Sequence, residues 1–235
     1  METWTWETIA DTLIKEIQKG IYKKDEKMPS ENKMAVRFQV PRSEIRKAYA
    51  RLKEMGYIYA LQGYGSFFSG NRKKIRLSMS NESFSKKMEQ MGIHFQTRNM
   101  GCRKIKDGSL IHTNLGLECH EPVYKVTRLR ILDGEPAAIH ISYLAEKLFP
   151  LIEKEGGALT SVYEYFHQNG YQDLDCTNLQ LTVSTLNKKE RTLLNIQGYA
   201  PCLVLTYQCR SMPQGQVIEV VFRSIYRSDK FILEL

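Results

Sequence analysis

The chain has 235 residues, of which 42% are hydrophobic, so it is long and apolar enough to bury two separate cores. No run approaches the roughly 20 consecutive apolar residues that a membrane-spanning helix needs, and the N-terminus does not resemble a signal peptide, which predicts a cytoplasmic protein without a membrane partner. Residues 1–74 hold 15 Lys and Arg against 9 Asp and Glu, which is +6 of the net charge of +8. This distribution is typical of a domain that meets phosphate, although solvated faces can also be basic.

The cysteines do not form a recognisable metal or redox motif. There are five of them: Cys102, Cys119, Cys176, Cys202 and Cys209. None belongs to a C-x-x-C pair, and no histidine is placed to complete a zinc site. We therefore expect reduced and mostly buried thiols, no metal and no other cofactor. A redox role for one of them stays open, because exposure cannot be read from sequence.

The first two helices are indicated by apolar spacing and by capping residues. Apolar residues recur three and four apart from Trp6 to Ile17, and Gly20 follows where a left-handed residue would end the helix. Met28-Pro29-Ser30-Glu31 then begins a short second helix, with Ser30 as its N-cap and an apolar stripe that reaches Phe38.

A third helix and a hairpin complete the N-terminal pattern. Pro41 suits a helix entry, and the helix after it has one apolar and one basic face. The inward face carries Ile45, Ala48, Tyr49, Leu52 and Met55, and the outward face carries Arg42, Arg46, Lys47 and Arg51. A short helix, a tight turn and a helix with a basic face form a helix-turn-helix, whose second helix enters the major groove of DNA. The β-rich segments 57–61 and 66–69 predict a hairpin wing, although such hairpins also occur in proteins that bind nothing.

Three motifs in this segment resemble the GntR family of bacterial repressors. The family's Leu-Pro-Ser-Glu box corresponds to Met28–Glu31, its recognition helix to Arg42–Ala48, and its Gly-x-Gly-Thr-Phe wing to Gly63–Phe67. The three motifs follow one another in the family's order. The resemblance implies a winged helix-turn-helix DNA-binding domain over residues 1–70. It implies that Arg42 and Arg46 reach guanine edges or phosphates, because the planar guanidinium fork pairs with guanine O6 and N7. The positioning contacts would come from Ser30, Ser43, Lys47 and Gly63.

Two residues depart from the family pattern. Pro41 replaces the usual Ser, and Glu44 stands where a Thr or Ser commonly approaches the DNA. Phosphate repels a carboxylate, but cytosine N4 can donate a hydrogen bond to one, so we expect Glu44 to contact DNA and to alter the operator sequence. Arg51 and Lys53 are expected to be solvated. Operator half-sites of relatives therefore cannot be transferred to this chain.

Beyond a basic linker at 71–80, the pattern of residues 81–235 changes to mixed helix and strand. Helices are predicted at 84–91, 146–155, 161–169 and 188–196, and strands at 96–105, 123–132, 137–144, 179–184, 203–211 and 217–226. The turns Asp133-Gly134 and Pro213-Gln214-Gly215 predict antiparallel hairpins. The fold class is therefore predicted as α+β and not as a doubly wound parallel sheet.

Three further segments resemble the effector-sensing UTRA domain of the HutC-like branch of GntR regulators. They are Pro122–Arg130, the hairpin Asp133–Pro136 and Tyr226–Phe231. The resemblance implies a chorismate-lyase-like fold, in which an antiparallel sheet and helices enclose a metabolite.

Arg128 and Arg130 give a physical reason to expect an anion in this domain. Period-two alternation places both on one partly apolar face of a strand, where their like charges repel. A phosphate or carboxylate of an effector would relieve that repulsion, and an acidic side chain is the alternative. The acidic candidates are Glu135, Glu219 and Asp229.

The resemblance implies a wider effector site around these arginines. Its predicted residues are Ser83, Phe84, Ser85, Arg128, Arg130, His140, Ser161, Tyr163, Glu219 and Tyr226. Ser83 and Ser85 begin a helix, where they suit either an anion or a plain cap. His140 stands where sugar-phosphate-sensing relatives carry Glu, which argues against an amino-sugar phosphate and leaves a polar ligand or a structural role open.

These patterns predict a homodimeric, DNA-binding transcription regulator. We expect a repressor that a small anionic metabolite, such as a sugar phosphate, phosphonate or organic acid, releases from its operator, with activation left open. One alternative is an enzyme, since the sensing fold resembles a lyase. The chain has no G-x-S-x-G, H-E-x-x-H or Walker motif and no clear nucleophile-base pair, so no catalytic residue is predicted. The other alternative is a constitutive DNA-binding protein without an effector.

Overall fold

The computed structural model describes residues 4–69, 75–78, 82–106, 109–196, 200–212 and 214–234. The chain divides into two compact units, Met1–Lys74 and Ile75–Leu235. In the described ranges, no helix is both long and apolar enough to span a membrane.

The N-terminal unit is a winged helix-turn-helix, as predicted. Its elements are α1 (Trp6–Gln18), α2 (Glu31–Phe38), α3 (Arg42–Glu54), β1 (Ile58–Leu61) and β2 (Gly65–Phe68). Thr5 and Thr8 form a reciprocal capping box that begins α1. Gln39 adopts the left-handed conformation, with φ of 53°, and ends α2 so that the chain turns directly into α3.

One apolar cluster holds this unit together. The inward faces of the three helices meet the buried ends of the β1–β2 hairpin, and the most deeply buried residues are Ile9, Leu13, Met34, Ile45, Leu52 and Ile58. The Tyr49 hydroxyl, inside this cluster, donates to the Pro29 carbonyl oxygen at 2.6 Å. This bond fixes α3 against the turn that precedes α2.

The C-terminal unit is built on a six-stranded antiparallel sheet. The strands are β4 (Phe95–Lys104), β5 (Val123–Leu132), β6 (Glu135–Ala145), β7 (Leu174–Ser184), β8 (Cys202–Ser211) and β9 (Gln216–Arg227), in the spatial order β4-β5-β6-β9-β8-β7. Asp133 and Gly134 both have positive φ, of 49° and 80°, as a two-residue type I′ turn requires. The sheet confirms the predicted α+β class.

Helices and a small parallel strand pair accompany the sheet. The helices are α4 (Phe84–Gln90), α5 (Ser109–Leu115), α6 (Ile152–Glu155), α7 (Val162–Gln168) and α8 (Lys188–Leu194), and the strand pair is β3 (Ile75–Ser78) with β10 (Phe231–Glu234). Side chains of α4 and α7 pack in the clusters that also contain one face of β5, while Leu194 of α8 packs with the opposite face.

Several boundaries differ from the predictions. The strand β3 lies within the range 71–80 that was predicted as a linker, and α5 was not predicted. The predicted helix at 146–155 is helical only from Ile152, because Pro150 lacks an N–H and disfavours the helical conformation of Phe149. The strand predicted at 179–184 begins at Leu174, since Asn178 with φ of 54° interrupts its alternation.

Candidate functional site

The exposed basic face of α3 carries the predicted DNA-contacting arginines. The side chains of Arg42 and Arg46 are 57% and 67% exposed, and that of Lys47 is 58% exposed. Ser43 is exposed beside them. All four lie in the N-terminal half of α3, the part of a recognition helix that comes nearest to base edges.

One carboxylate positions both arginines. Glu31 Oε2, in the first turn of α2, lies 2.9 Å from Arg42 Nε and 3.6 Å from Arg46 Nε. Exposed ion pairs contribute only about 0–1 kcal/mol, so DNA can replace this partner at small cost. From sequence, Glu31 is assigned only to the start of α2, because its spatial relation to α3 depends on the turn at Gln39.

Glu44 has two partners inside the N-terminal unit. Its Oε2 accepts a hydrogen bond from the Trp6 backbone N–H at 3.1 Å, and its Oε1 accepts one from Lys47 Nζ at 2.7 Å. Both bonds lower the pKa of the Glu44 carboxyl, and the bond from Lys47 has the larger effect. The structure thus gives Glu44 a capping role at α1 that was not predicted from sequence, and its contact with DNA stays a prediction.

Ser30 and Gly63 also have clear local roles. The Ser30 hydroxyl caps α2 by accepting from the Lys33 N–H at 3.3 Å. Gly63 has φ of 82° at the tip of the exposed β1–β2 hairpin, and a Cβ at this position would meet nothing within 4 Å. The glycine is therefore required by backbone conformation, not by space. Tyr64 next to it is 71% exposed, an additional candidate for DNA contact.

In the C-terminal unit, a cavity of about 60 Å³ collects most of the predicted effector residues. Nine of the ten line it: Ser83, Phe84, Arg128, Arg130, His140, Ser161, Tyr163, Glu219 and Tyr226. The tenth, Ser85, lines a neighbouring cleft of about 870 Å³. Four residues belong to both linings and so separate the cavity from the cleft: Glu82, Ser83, Ser161 and Tyr163.

Arg128 and Arg130 are buried in this cavity wall, at 4% and 3% exposure. Arg128 Nη2 donates to Ser142 Oγ at 2.6 Å. Arg130 Nη1 donates to the Thr160 carbonyl oxygen at 3.1 Å and to Thr97 Oγ1, and its guanidinium lies 5.0 Å from the centre of the Phe84 ring. Burial lowers the pKa of both groups, and the charge of Arg128 lowers that of Arg130 further, to about 9.

The alternative explanation, neutralisation of the arginines by acidic side chains, is found only in part. Glu135 pairs with Lys230 at 2.5 Å, and Asp229 pairs with Arg227 at 2.6 Å. Glu219 is the buried acidic residue at the cavity, where it is 1% exposed and its Oε2 has no hydrogen-bond partner among the described residues. Glu82, which also lines the cavity, is partly exposed and pairs with Lys86 at 2.9 Å. Burial raises the pKa of Glu219, and the charge of Arg128 opposes that change.

His140 offers a hydrogen-bond donor at the same wall. Its Nδ1 lies 3.4 Å from Arg130 Nε, which must donate, so Nδ1 is an acceptor. Burial, then the charges of Arg130 and Arg128, lower the pKa of His140 well below its usual value, so the ring is neutral at pH 7. A neutral ring with Nδ1 as acceptor carries its proton on Nε2, and this buried atom has no partner within the described ranges.

Sequence reasoning missed several lining residues. Lys87 is 7% exposed and lies on α4 four residues after the N-cap Ser83, a helical spacing that could have revealed it. Burial lowers its pKa. Tyr207 and Cys176 lie on β8 and β7, and their place at the cavity depends on strand register, which the sequence does not fix.

Two family models match the chain. Residues 5–68 match the bacterial regulatory proteins of the gntR family, and residues 90–232 match the UTRA domain. The chain is 25% identical over 224 residues to the HTH-type transcriptional repressor NagR of Bacillus subtilis, covering 95% of this chain and 90% of the relative. It is 26% identical over 199 residues to the HTH-type transcriptional regulator TreR of Bacillus subtilis, covering 84% and 83%.

A solved structure has the same fold. PhnF from Mycobacterium smegmatis superposes with a TM-score of 0.65 over 96% of both chains at 18% sequence identity. The UTRA match covers more than half of the chain, and the relatives above are transcription regulators rather than enzymes. These findings confirm the predicted family, fold class and absence of an enzymatic role. The chain belongs to the GntR-type transcription regulators that carry a UTRA domain.

Proposed function

We propose that this regulator is a homodimeric repressor, which a small anionic metabolite releases from its operator by binding in the cavity of the C-terminal unit. The observation that carries the proposal is the pair Arg128 and Arg130, two buried guanidiniums on one strand face of the cavity. The name of the relative NagR, a transcriptional repressor, supports the direction of regulation.

The energetics of the pair favour an anionic ligand. Burying a charged group costs several kcal/mol unless an opposite charge offsets it, and Glu219 is the one buried carboxylate among the described lining residues, beside two arginines and Lys87. The other lining carboxylate, Glu82, is partly exposed and pairs with Lys86. A phosphate, phosphonate or carboxylate would supply the missing negative charge and accept paired N–H bonds. The His140 Nε2 donor and the Glu219 acceptor would then hold polar groups of the same molecule, such as hydroxyls.

The size of the cavity indicates that ligand entry changes this unit. About 60 Å³ is room for about two waters, whereas ligand sites usually enclose about 300–1,000 Å³. The adjoining cleft is large enough, and Ser83, Ser161 and Tyr163 lie between the two spaces. We therefore expect the effector to enter from the cleft and to move α4 or α7. A ligand that binds one conformation more tightly than the other shifts the protein towards that conformation. The resulting change in the free energy of DNA binding equals the change that DNA causes in the free energy of ligand binding.

On the DNA side, we expect two copies of α3 to occupy successive major grooves of a near-palindromic operator. The exposed Arg42 and Arg46 would read bases or phosphates, and the wing around Gly63 would approach the backbone. Size-exclusion chromatography with light scattering, with and without a duplex recovered by in vitro selection, tests the dimer and its stoichiometry of one dimer for each duplex. A monomer on DNA would contradict the proposal.

The experiment that tests the effector site is a thermal-shift screen of the full chain against sugar phosphates, phosphonates and organic acids. We expect at least one anion to raise the melting temperature by several degrees, and Arg128→Ala and Arg130→Ala to abolish that rise. Arg98→Ala, at an exposed arginine of the neighbouring strand, is the matched control and should keep it. Stabilisation that survives in both cavity variants, or no stabilisation by any anion, would overturn the anionic effector.

A further inference from the structure

Cys176 and Cys209 form a cross-strand pair beside the cavity. They are directly opposite each other in the β7–β8 ladder, and their thiols are hydrogen-bonded to each other. Cys209 is fully buried at 0% exposure, whereas Cys176 is partly exposed and lines the cavity. A reagent in the cavity therefore meets Cys176 first, and Cys209 lies behind it.

The backbone allows these two side chains to be joined. Opposed residues of an antiparallel pair have Cα atoms about 4.5 or 5.5 Å apart, and disulfides span Cα separations of about 4.4–6.8 Å. Cys202 lies on the same strand and is also buried, at 1% exposure, but its opposed residues are Ser184 and Arg227. Adjacency to a second thiol thus distinguishes Cys209 from an otherwise similar cysteine.

The surroundings make Cys176 the more reactive of the two thiols. The hydrogen bond with Cys209 lowers the pKa of Cys176, and the contact with Tyr163 and the charge of Lys87 act in the same direction. Burial and the charge of Glu219 oppose these effects, and the net change in pKa is downward. The Tyr163 hydroxyl lies 3.1 Å from Cys176 Sγ. The same thiol–thiol bond, together with burial, raises the pKa of Cys209. A more acidic, accessible thiol beside a buried one is the arrangement of an attacking and a resolving cysteine.

We propose that Cys176 and Cys209 are a peroxide-reactive pair that closes to a reversible disulfide at the wall of the cavity. The Cys176 thiolate attacks one oxygen of hydrogen peroxide, the O–O bond breaks, and the products are a sulfenic acid and, after protonation, water. The Cys209 sulfur then attacks the Cys176 sulfur, the S–O bond breaks, and a second water leaves with the Cys209 proton. In total, two thiols and one peroxide give one disulfide and two waters.

Oxidation would also affect the residues that separate the cavity from the cleft. The disulfide removes the thiol that contacts Tyr163, one of the residues shared by both linings. This consequence for effector entry rests on the proposed function, whereas disulfide formation does not. Failure to form the bond therefore overturns this inference alone.

The test is peptide mapping of the full chain by mass spectrometry. The protein is reduced, freed of reductant and treated with about one equivalent of hydrogen peroxide. We expect a mass decrease of two hydrogens, a peptide pair that joins Cys176 to Cys209, and recovery of both thiols with dithiothreitol. Absence of this pair, or a dominant disulfide that uses another cysteine, would overturn the proposal.

Three variants assign the order of the steps. Cys209→Ser should accumulate a Cys176 sulfenic acid that dimedone traps, and Cys176→Ser should leave Cys209 unmodified because it is buried. Cys202→Ser, the matched control, should form the disulfide at the wild-type rate. Modification of Cys209 in the Cys176→Ser variant at the wild-type rate would contradict the order. If Cys209→Ser does not fold, the wild-type peptide map still decides whether the pair forms.

Discussion

The Glu44 carboxylate on α3 accepts a hydrogen bond from the backbone N–H of Trp6, at 3.1 Å, in the first turn of α1. A negative charge at a helix N-terminus satisfies a donor that has no partner within the helix and complements the helix dipole. The packing of the N-terminal unit therefore explains an acidic residue in the predicted recognition helix.

Glu44→Ala is expected to destabilise the N-terminal unit, and Glu44→Gln less so because the amide oxygen can still accept the Trp6 bond. The two tryptophans of the chain, Trp4 and Trp6, both lie in this unit, so urea unfolding followed by tryptophan fluorescence reports on it. Since the pKa of Glu44 is lowered, its stabilising effect is present above the usual carboxyl pKa of about 4.3 and is lost as pH falls through the lowered value. An unchanged urea midpoint in Glu44→Ala would contradict this role.

Arg42→Ala and Arg46→Ala are expected to weaken binding to a selected operator by about 1–3 kcal/mol each, which is roughly 5- to 150-fold. Arg51→Ala is the control, because Arg51 pairs with Glu54 at the other end of α3 and should lose little affinity. Fluorescence anisotropy at several salt concentrations separates base reading from phosphate contact, since loss of a phosphate contact lowers the salt dependence. Equal losses in all three variants would argue against the N-terminal half of α3 as the reading surface.

Arg130→Met is expected to leave the free energy of unfolding unchanged or to raise it by about 1–4 kcal/mol in the absence of ligand, because it removes one of two adjacent buried charges. Arg227→Met is the contrasting variant. It breaks the pair with Asp229 and should lower stability. Differential scanning calorimetry of the full chain measures both changes. If Arg130→Met lowers the free energy of unfolding by more than about 2 kcal/mol, groups of the protein itself already neutralise the two arginine charges, which would contradict the need for a ligand anion.

The buried, neutral His140 predicts a loss of stability in acid. The unfolded chain takes up a proton at His140 below about pH 6.5 that the folded chain does not, so the free energy of unfolding falls as pH decreases, by up to about 1.4 kcal/mol per pH unit. His140→Gln should reduce this loss between pH 7.5 and 5, and His94→Gln, at an exposed histidine, should not. The raised pKa of Glu219 acts in the opposite sense and is common to all three proteins.

The sequence was sufficient for the elements whose signals are local. The Ser30 cap was predicted from a few adjacent residues, and the Thr5 cap has a signal of the same kind. The type I′ turn at Asp133-Gly134 sets the first two β5–β6 pairs, and a β-bulge then shifts the register between Ile131 and Arg130. Period-two alternation along β5 placed Arg128 and Arg130 on one face, as predicted.

Features that depend on distant partners could not be predicted. The four-residue strand β3 pairs with β10, more than 150 residues away in the chain, and carries no local signal of its own. The bond from Trp6 to Glu44 and the opposition of Cys176 and Cys209 likewise depend on packing and strand register. The effector-site residues were predicted from a family resemblance, and nine of the ten line one cavity. Their role in binding stays a prediction.

The central claim is that the binding of effector and the binding of operator to this protein are thermodynamically coupled. A reciprocal titration tests this coupling most directly. The Kd for the selected operator is measured with and without a saturating anion from the thermal-shift screen, and the Kd for that anion is measured with and without operator. We predict that the anion weakens operator binding, that the operator weakens anion binding by the same factor, and that Arg130→Met removes both effects. An operator Kd that does not change in saturating, stabilising anion would contradict the claim and indicate a DNA-binding protein whose affinity no effector controls.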